Sequence, residues 1–491
     1  MKNKKLLGLA IVIILIFGVA PYFVGNTARE NIEKQAVLIS QTPGYSLNIR
    51  EYEQGWFTSR AVMAYGFDEH TLNILGKSEK KQDEKEIFNV LKDGFVFEVD
   101  IAHGPVTFQN GVNFAIMTMT GKLQDINHEA FRKIKEASKT DSFLNLFASV
   151  SYGGTTNIDM ESPSLKIDYS DIAGQKMIVD YSGMNMQATI NAALDEYNIH
   201  FNLDQLKMNL ADVDIIFRKM VLNANGTKIN DYLWLGSGET NAGEFTISNP
   251  KAKAMTVSFI DFDSEYDFRK ESADALTMQW NSSGRKIMAS GVELEDFKLD
   301  LNINHLDMAA ITDYAKSIQE SYQTADGKTP TPEEIAAKTQ IIATRVGEQI
   351  IKGSPELVIN NLGFAMGDGY YESDGTLSID GKGLKNIQQL SDPIALNKRL
   401  AVLVNINFNR ALAKAVTTIA MKKQMAAGGV DIATMPPEQL DQMIDVQAGA
   451  ALQSFVNQGY FIQDGEKYTT NFEMKDGQRL INGKPLPIPG M

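Results

Sequence analysis

A chain of 491 residues, 43% hydrophobic and 22% charged, has the balance of an ordinary folded protein. By the usual domain size it is long enough for about three domains, although β-rich bodies often exceed that size as one unit. Its formal net charge of −14 sets it against nucleic acid and anionic headgroups, and the absence of cysteine excludes disulfides, thiolate metal centres and cysteine nucleophiles.

Lys2, Lys4 and Lys5 precede an apolar run from Leu6 to Val24 that contains no charge. At about 1.5 Å per helical residue, roughly 20 such residues span a hydrocarbon core of about 30 Å. Basic residues ahead of the run place the N-terminus in the cytoplasm and export the rest of the chain. The run is long for the apolar part of a signal peptide, and Pro21 follows Ala20 where a small-residue cleavage site is wanted. Residues 1–25 are therefore expected to be a retained signal anchor, a single transmembrane helix. The three lysines are its only charges, so the remainder carries −17.

Residues 26–44 are expected to form a short stalk, helical over 26–41 with Ile32, Ala36 and Ile39 along one side, and ended by Pro43-Gly44. A β-rich body is expected over 45–306. Strands flank Gln54-Gly55-Trp56-Phe57, and the charge-dense 76–94 reads as a solvated loop leading into a turn of helix. From Gly94 the period becomes two: Phe95, Phe97, Val99 and Ile101 lie opposite Val96, Glu98 and Asp100. Helical spacing interrupts over 128–149. Alternation resumes at Leu165, Ile167 and Tyr169, at Ile199, Phe201 and Leu203, and most cleanly at Phe297, Leu299, Leu301 and Ile303. One dry face and one wet face mark antiparallel sheet.

Residues 307–491 read as a mixed α/β part of the same body. Helices are predicted over Met308–Tyr322, from Pro332 onward with Ile335, Ile342, Val346 and Ile350 as its face, over Arg410–Ala427, and over Glu438–Asn457. The last two read as an αα-hairpin. Strands are predicted at Leu357–Phe364 and Glu372–Asp380, and the chain closes in strands turning at Asp464-Gly465 and Asp476-Gly477. The expected fold is α+β and β-rich: a transmembrane helix, then a large curved antiparallel sheet with helices along it, helix-rich in the C-terminal third.

Recognisable chemistry is sparse. Gly76-Lys77-Ser78 and Gly327-Lys328-Thr329 end like phosphate-binding loops, but Thr71 and Tyr322 stand where the first glycine must be. His70, His103, His128, His200 and His305 are scattered without zinc-site spacing. Asp261, Asp263, Glu265 and Asp267 form an acidic ladder at period two. A calcium loop wants glycine where Tyr266 stands, so a solvated strand face accounts for it. Trp56 and Phe57 form the densest aromatic turn, read either as rings sealing one end of the sheet or as a membrane-interface or ligand anchor. Met421 and Met425, in the late helices, read either as ordinary packing or as part of a lid over a lipid-like ligand. These four are the candidate ligand or interface residues; no catalytic, cofactor-binding or metal-ligating residue is assigned.

The N-terminal run, Tyr52-x-x-Gly55-Trp56-Phe57-x-Ser59, the repeated amphipathic strands and the closing Asp476-Gly477-x-x-x-Ile481-Asn482-Gly483-Lys484-Pro485 resemble the YdgA-like family of bacterial envelope proteins, built around a domain of unknown function. The resemblance spans nearly the whole chain and implies inner-membrane attachment, a cytoplasmic N-terminus and a periplasmic body. It supplies no catalytic residues. The expectation is a non-enzymatic, membrane-tethered envelope protein that binds lipid-like or extended polypeptide ligands and no nucleic acid. The alternatives are a structural or assembly factor acting on envelope protein partners or on a second copy, and a hydrolase of envelope polymers.

Overall fold

A computed structural model of the chain describes residues 20–41, 44–69, 71–72, 88–89, 91–124, 142–170, 176–210, 213–249, 256–322, 332–427 and 436–486, with isolated positions 126, 132, 135 and 136. The chain divides into two compact units. The first comprises Met1–Ala211, Val221–Trp234 and Thr312–Ala343; the second comprises Asp212–Met220, Leu235–Ile311 and Thr344–Met491. The units therefore interleave along the sequence.

The first unit opens with helix α1 (Ala20–Gln41) and strands β1 (Tyr45–Gln54), β2 (Thr58–Phe67) and β3 (Phe95–His103). A two-residue pair follows, β4 (Val106–Thr107) with β5 (Asn113–Phe114), then β6 (Met117–Leu123), β7 (Asn145–Val150), β8 (Thr156–Ser162), β9 (Leu165–Ser170), β10 (Lys176–Tyr181), β11 (Met184–Ile190) and β12 (Glu196–Leu210). β1, β2, β3, β6 and β7 are successive antiparallel neighbours. Beyond them β7 pairs with β8, β8 with β11 and β11 with β12, while β9 pairs with β10 and β10 with the far part of β12. Two positions in the sheet are thus each built from two short strands, broken at Pro163-Ser164 and Ser182-Gly183, as proline and glycine dictate.

The expected alternation sets the core. Val99 and Ile101 of β3 are fully buried with Ala61 and Met117, and Phe97 packs against them. The residues that cover them come from α1: Ala28 (1% exposed) and Ile32, with Val24 beside them. Ala28, Ile32 and Ala36 recur every fourth residue and share one helix face. The segment expected to be a stalk is therefore a helix docked on the sheet, and it begins at Ala20, inside the expected anchor. Most of the apolar run lies outside the described residues. Among the described residues no helix is long and apolar enough to cross a membrane.

The helix expected over 128–149 gives way at Asn145, where β7 begins; 127–131 and 137–141 lie outside the described residues, as do 73–87 of the charge-dense loop. Leu146, Ala148 and Val150 fall at period two, and β6 and β8 hydrogen-bond both edges of this segment. Two ladders outweigh a local helical spacing.

Strands β13 (Val213–Asn230) and β14 (Leu233–Ser248), and helices α2 (Met308–Tyr322) and α3 (Pro332–Lys352), contribute residues to both units. The second unit continues with β15 (Val257–Lys270), β16 (Ala275–Ala289), β17 (Val292–Asp307), β18 (Glu356–Met366), β19 (Gly369–Ile379), α4 (Pro393–Arg399), β20 (Leu400–Asn409), α5 (Arg410–Ala427), α6 (Pro437–Asn457), β21 (Ile462–Asp464), β22 (Lys467–Lys475), β23 (Gln478–Ile481) and β24 (Lys484–Pro485). β14 to β20 form an antiparallel meander in sequence order, and β22 joins β20. The large antiparallel sheet that the alternation predicts is thus present.

Over β18, β19, β20 and β22 one face of this sheet is dry. Phe408 of β20 and Tyr468 of β22 stack at 5.5 Å and meet Leu412 of α5 and Leu452 of α6. The two helices form the expected hairpin, tied by Arg410 to Asp445 at 3.0 Å and Lys414 to Asp441 at 2.9 Å. Asn409 starts it, its side-chain oxygen accepting the Leu412 N–H at 3.1 Å as an N-cap.

Candidate functional site

Strand β20 carries Val404-Asn405-Ile406-Asn407-Phe408, so Ile406 and Phe408 face the helices while Asn405 and Asn407 face away. Register then builds two polar rows across three strands. Asp374 lies opposite Asn405 and Asn405 opposite Asn471; Glu372 lies opposite Asn407 and Asn407 opposite Thr469. Asn471 Nδ2 donates to Asn405 Oδ1 at 2.8 Å, and Asn405 Nδ2 donates to Asp374 Oδ2 at 2.8 Å. Asn407 Nδ2 donates to Glu372 Oε2 at 3.1 Å, and Tyr370 Oη donates to Asn407 Oδ1 at 3.3 Å.

Together these residues floor an open groove of about 520 Å³, flanked by Asn360, Asn361, Lys467 and Asn482. Each asparagine nitrogen carries two hydrogens, so the amides that hold the rows together keep a second donor for a ligand. The carboxylates accept from neutral amides, and among the described residues the lining holds no aromatic ring; Tyr370 reaches Asn407 through its hydroxyl from beside the groove. The arrangement suits a polymer rich in amide groups. The signal was present in the sequence as asparagines at period two in Asn405-Ile406-Asn407, which by themselves look like any wet strand face.

The sequence-predicted residues lie elsewhere. Met421 is buried in α5 and Met425 half-buried, on the helical hairpin that covers the opposite face from the asparagines. Trp56 and Phe57 sit in the β1–β2 turn of the first unit, about half exposed, in a loop closed by the Gly55 N–H donating to the Thr58 carbonyl at 2.8 Å. The fold brings the methionines together and the aromatics together, and joins neither pair to the amide rows.

The motif around Trp56 has a structural logic that sequence reading missed. Tyr52 packs on the α1 core, with the Arg29 guanidinium 5.5 Å from its ring centre. Ser59 reaches His103, both only 4% exposed. His103 Nδ1 lies 3.3 Å from the Trp56 carbonyl, which can only accept, so Nδ1 carries the proton and the neutral ring's Nε2 accepts from Ser59 Oγ at 3.0 Å. Burial pushes the His103 pKa down, partly offset by the carbonyls of Trp56 and Pro21. Serine against an oriented histidine is the geometry of an activated nucleophile. Here α1 covers it: a Cβ on Gly25 would come within 2.5 Å of the imidazole. The pair is a pin beneath the helix, closed to substrate.

Among the described residues the remaining titratable candidates are paired or exposed strand-face groups, and His70 and His128 lie outside the described residues. Asp261 bonds Arg285 at 2.6 Å, while Asp263 and Glu265 are exposed. His200 meets Asn223 at 2.7 Å and His305 meets Glu271 at 2.7 Å.

Fold and site define a β-rich protein with a helix-covered dry face and an amide-lined wet one. The chain belongs to the DUF945 family, described as a bacterial protein of unknown function, whose model matches residues 2–489. No curated protein and no solved structure matches it.

Proposed function

We propose that this is a non-enzymatic envelope protein of the YdgA-like kind, tethered to the bacterial inner membrane by residues 1–25 with its body in the periplasm, which holds an extended polypeptide on the amide-lined face of its second unit. The observation that carries this reading is the pair of rows Asp374–Asn405–Asn471 and Glu372–Asn407–Thr469 flooring an open groove. Strands lie about 4.8 Å apart, so a chain laid across them meets a donor and an acceptor at each step. An acyl chain would find no such place on the dry face at this point, because Phe408, Leu412, Leu452 and Tyr468 fill it.

The anchor is tested first: the protein is expected to stay in the membrane fraction after an alkaline wash, and a soluble form starting near residue 25 would count against it. For the groove, full chain purified in detergent is titrated against fluorescein-labelled casein, an unstructured polypeptide. Asn405→Ser with Asn471→Ser is expected to weaken binding about tenfold, the effect of two lost hydrogen bonds of about 0.5–1.5 kcal/mol each. Equal binding by the variant sinks the groove. Lipid co-purifying in native mass spectra, with no casein bound, moves the reading to acyl chains.

A further inference from the structure

Across β1, β2, β3, β6, β7 and β8 one end of the first unit's sheet closes in uncharged turns; the next turn along, 191–195, carries Asp195. The ladders fix which turns meet there: Thr58 pairs with Ala102, His103 with Met117, Met117 with Val150, and Val150 with Thr156. Segments 54–58, 104–116 and 151–155 therefore close the same end. They contain no Asp, Glu, Lys or Arg, in a chain where 22% of residues are charged. What they expose instead is apolar: Trp56 at 51%, Phe57 at 54%, Phe108 at 77%, Phe114 at 73% and Tyr152 at 58%. The other end of the same strands carries Asp68, Glu69, Lys92 and Asp93. Exposed apolar side chains gathered at one end mark a surface that meets something other than water.

The entry point of α1 indicates what that is. The helix joins the unit at this end, with the Tyr22 ring 5.0 Å from the Trp56 ring and Gly25 over His103. Residues 6–19 belong to the uncharged run Leu6–Val24, whose last five residues are already part of α1. If the part of that run before Ala20 lies in a bilayer, as proposed above, the aromatic turns surround the point where the chain leaves it. Tryptophan and tyrosine, part apolar and part hydrogen-bonding, favour the headgroup layer. A body carrying −17 gains nothing from basic contacts with anionic lipid, so an uncharged end is the one it can present.

We propose that this end of the first unit, bearing Trp56, Phe57, Phe108, Phe114 and Tyr152, seats in the interfacial layer of the bilayer that holds the chain's own N-terminal run; this rests on the tether reading.

The test uses the full chain with Trp234→Phe and Trp280→Phe, which leaves Trp56 as the sole tryptophan, reconstituted into phosphatidylcholine vesicles with or without bromine near the headgroup end of the acyl chains. The protein is expected to float with the vesicles, with Trp56 emission roughly halved by the brominated lipid, as suits an indole at headgroup depth. Adding Phe108→Ser and Phe114→Ser, both highly exposed, should reduce that quenching without changing the circular dichroism. Floated protein whose Trp56 is unquenched, whether in water or against another protein, overturns the docking and leaves the tether intact. Protein that does not float at all overturns the tether and the docking with it.

Discussion

At the scale of single residues, His103 is held neutral by burial, and this makes stability depend on pH. Its folded pKa lies below the ordinary value of 6.5 that the unfolded chain keeps. Between those two values the unfolded state binds more protons, so stability rises with pH there. The contribution is complete above about pH 7.5 and is lost as pH falls through about 6.5 toward the depressed folded value. His103→Gln keeps a donor and an acceptor and does not titrate. Melting temperatures of the two proteins are expected to converge as pH drops from about 7.5 to 5.5, because only wild type loses this contribution. Parallel curves would show that the ring is free to protonate in place. Tyr52 gives the opposite kind of case. Its hydroxyl is buried without a hydrogen-bond partner among the described residues. Tyr52→Phe is therefore expected to leave denaturant stability unchanged or raise it by up to about 1 kcal/mol, since nothing bonded is lost.

At the scale of elements, the closing hairpin shows why Asn482-Gly483 stands where it does. Ile481 pairs with Lys484 across a two-residue loop whose φ angles are +50° and +74°. Both lie in the left-handed region that a type I′ turn demands, which asparagine tolerates and glycine enters freely. Asn482 also works as a clasp. Its Nδ2 donates to the carbonyls of Gly459 at 2.9 Å and Tyr460 at 3.1 Å, just past α6, and its Oδ1 accepts the Asn471 N–H at 2.9 Å. The turn thus ties the hairpin to the helix end and to the strand that carries the groove. Asn482→Ala removes the bonds and adds left-handed strain, at a cost of about 2–4 kcal/mol; Asn482→Gly removes the bonds alone, at about 1–2 kcal/mol. Urea midpoints of the two variants separate turn from clasp, and equal losses would mean that conformation contributes nothing.

At the scale of the whole molecule, what could be read from the sequence was whatever a single segment determines. Met308–Tyr322 and Arg410–Ala427 appear with the bounds that their apolar stripes predict, and Phe97, Val99 and Ile101 face the core as alternation requires. The amide rows were illegible because each depends on β19, β20 and β22 lying side by side, a fact of register between segments up to about a hundred residues apart. The Ser59–His103 pin was hidden for the same reason. Helix α1 differs: a helix over 26–41 with Ile32 and Ala36 on one side is legible in the sequence, but so slight a stripe does not announce that Ala28, Ile32 and Ala36 dock on the sheet. That face leads to a prediction about where the body starts. A chain begun at residue 20 keeps α1 over Val99 and Ile101, whereas one begun at residue 42 leaves those fully buried side chains to water. Val24, Ala28, Ile32 and Ala36 together contribute roughly 5 kcal/mol of apolar burial, a large share of any domain's net stability. The chain from residue 20 is therefore expected to unfold at the same urea concentration as the full protein in detergent, and the chain from 42 to unfold early or to bind a dye for exposed apolar surface. Equal midpoints for both truncations would return α1 to the role of a spacer, with the sheet able to close its core unaided.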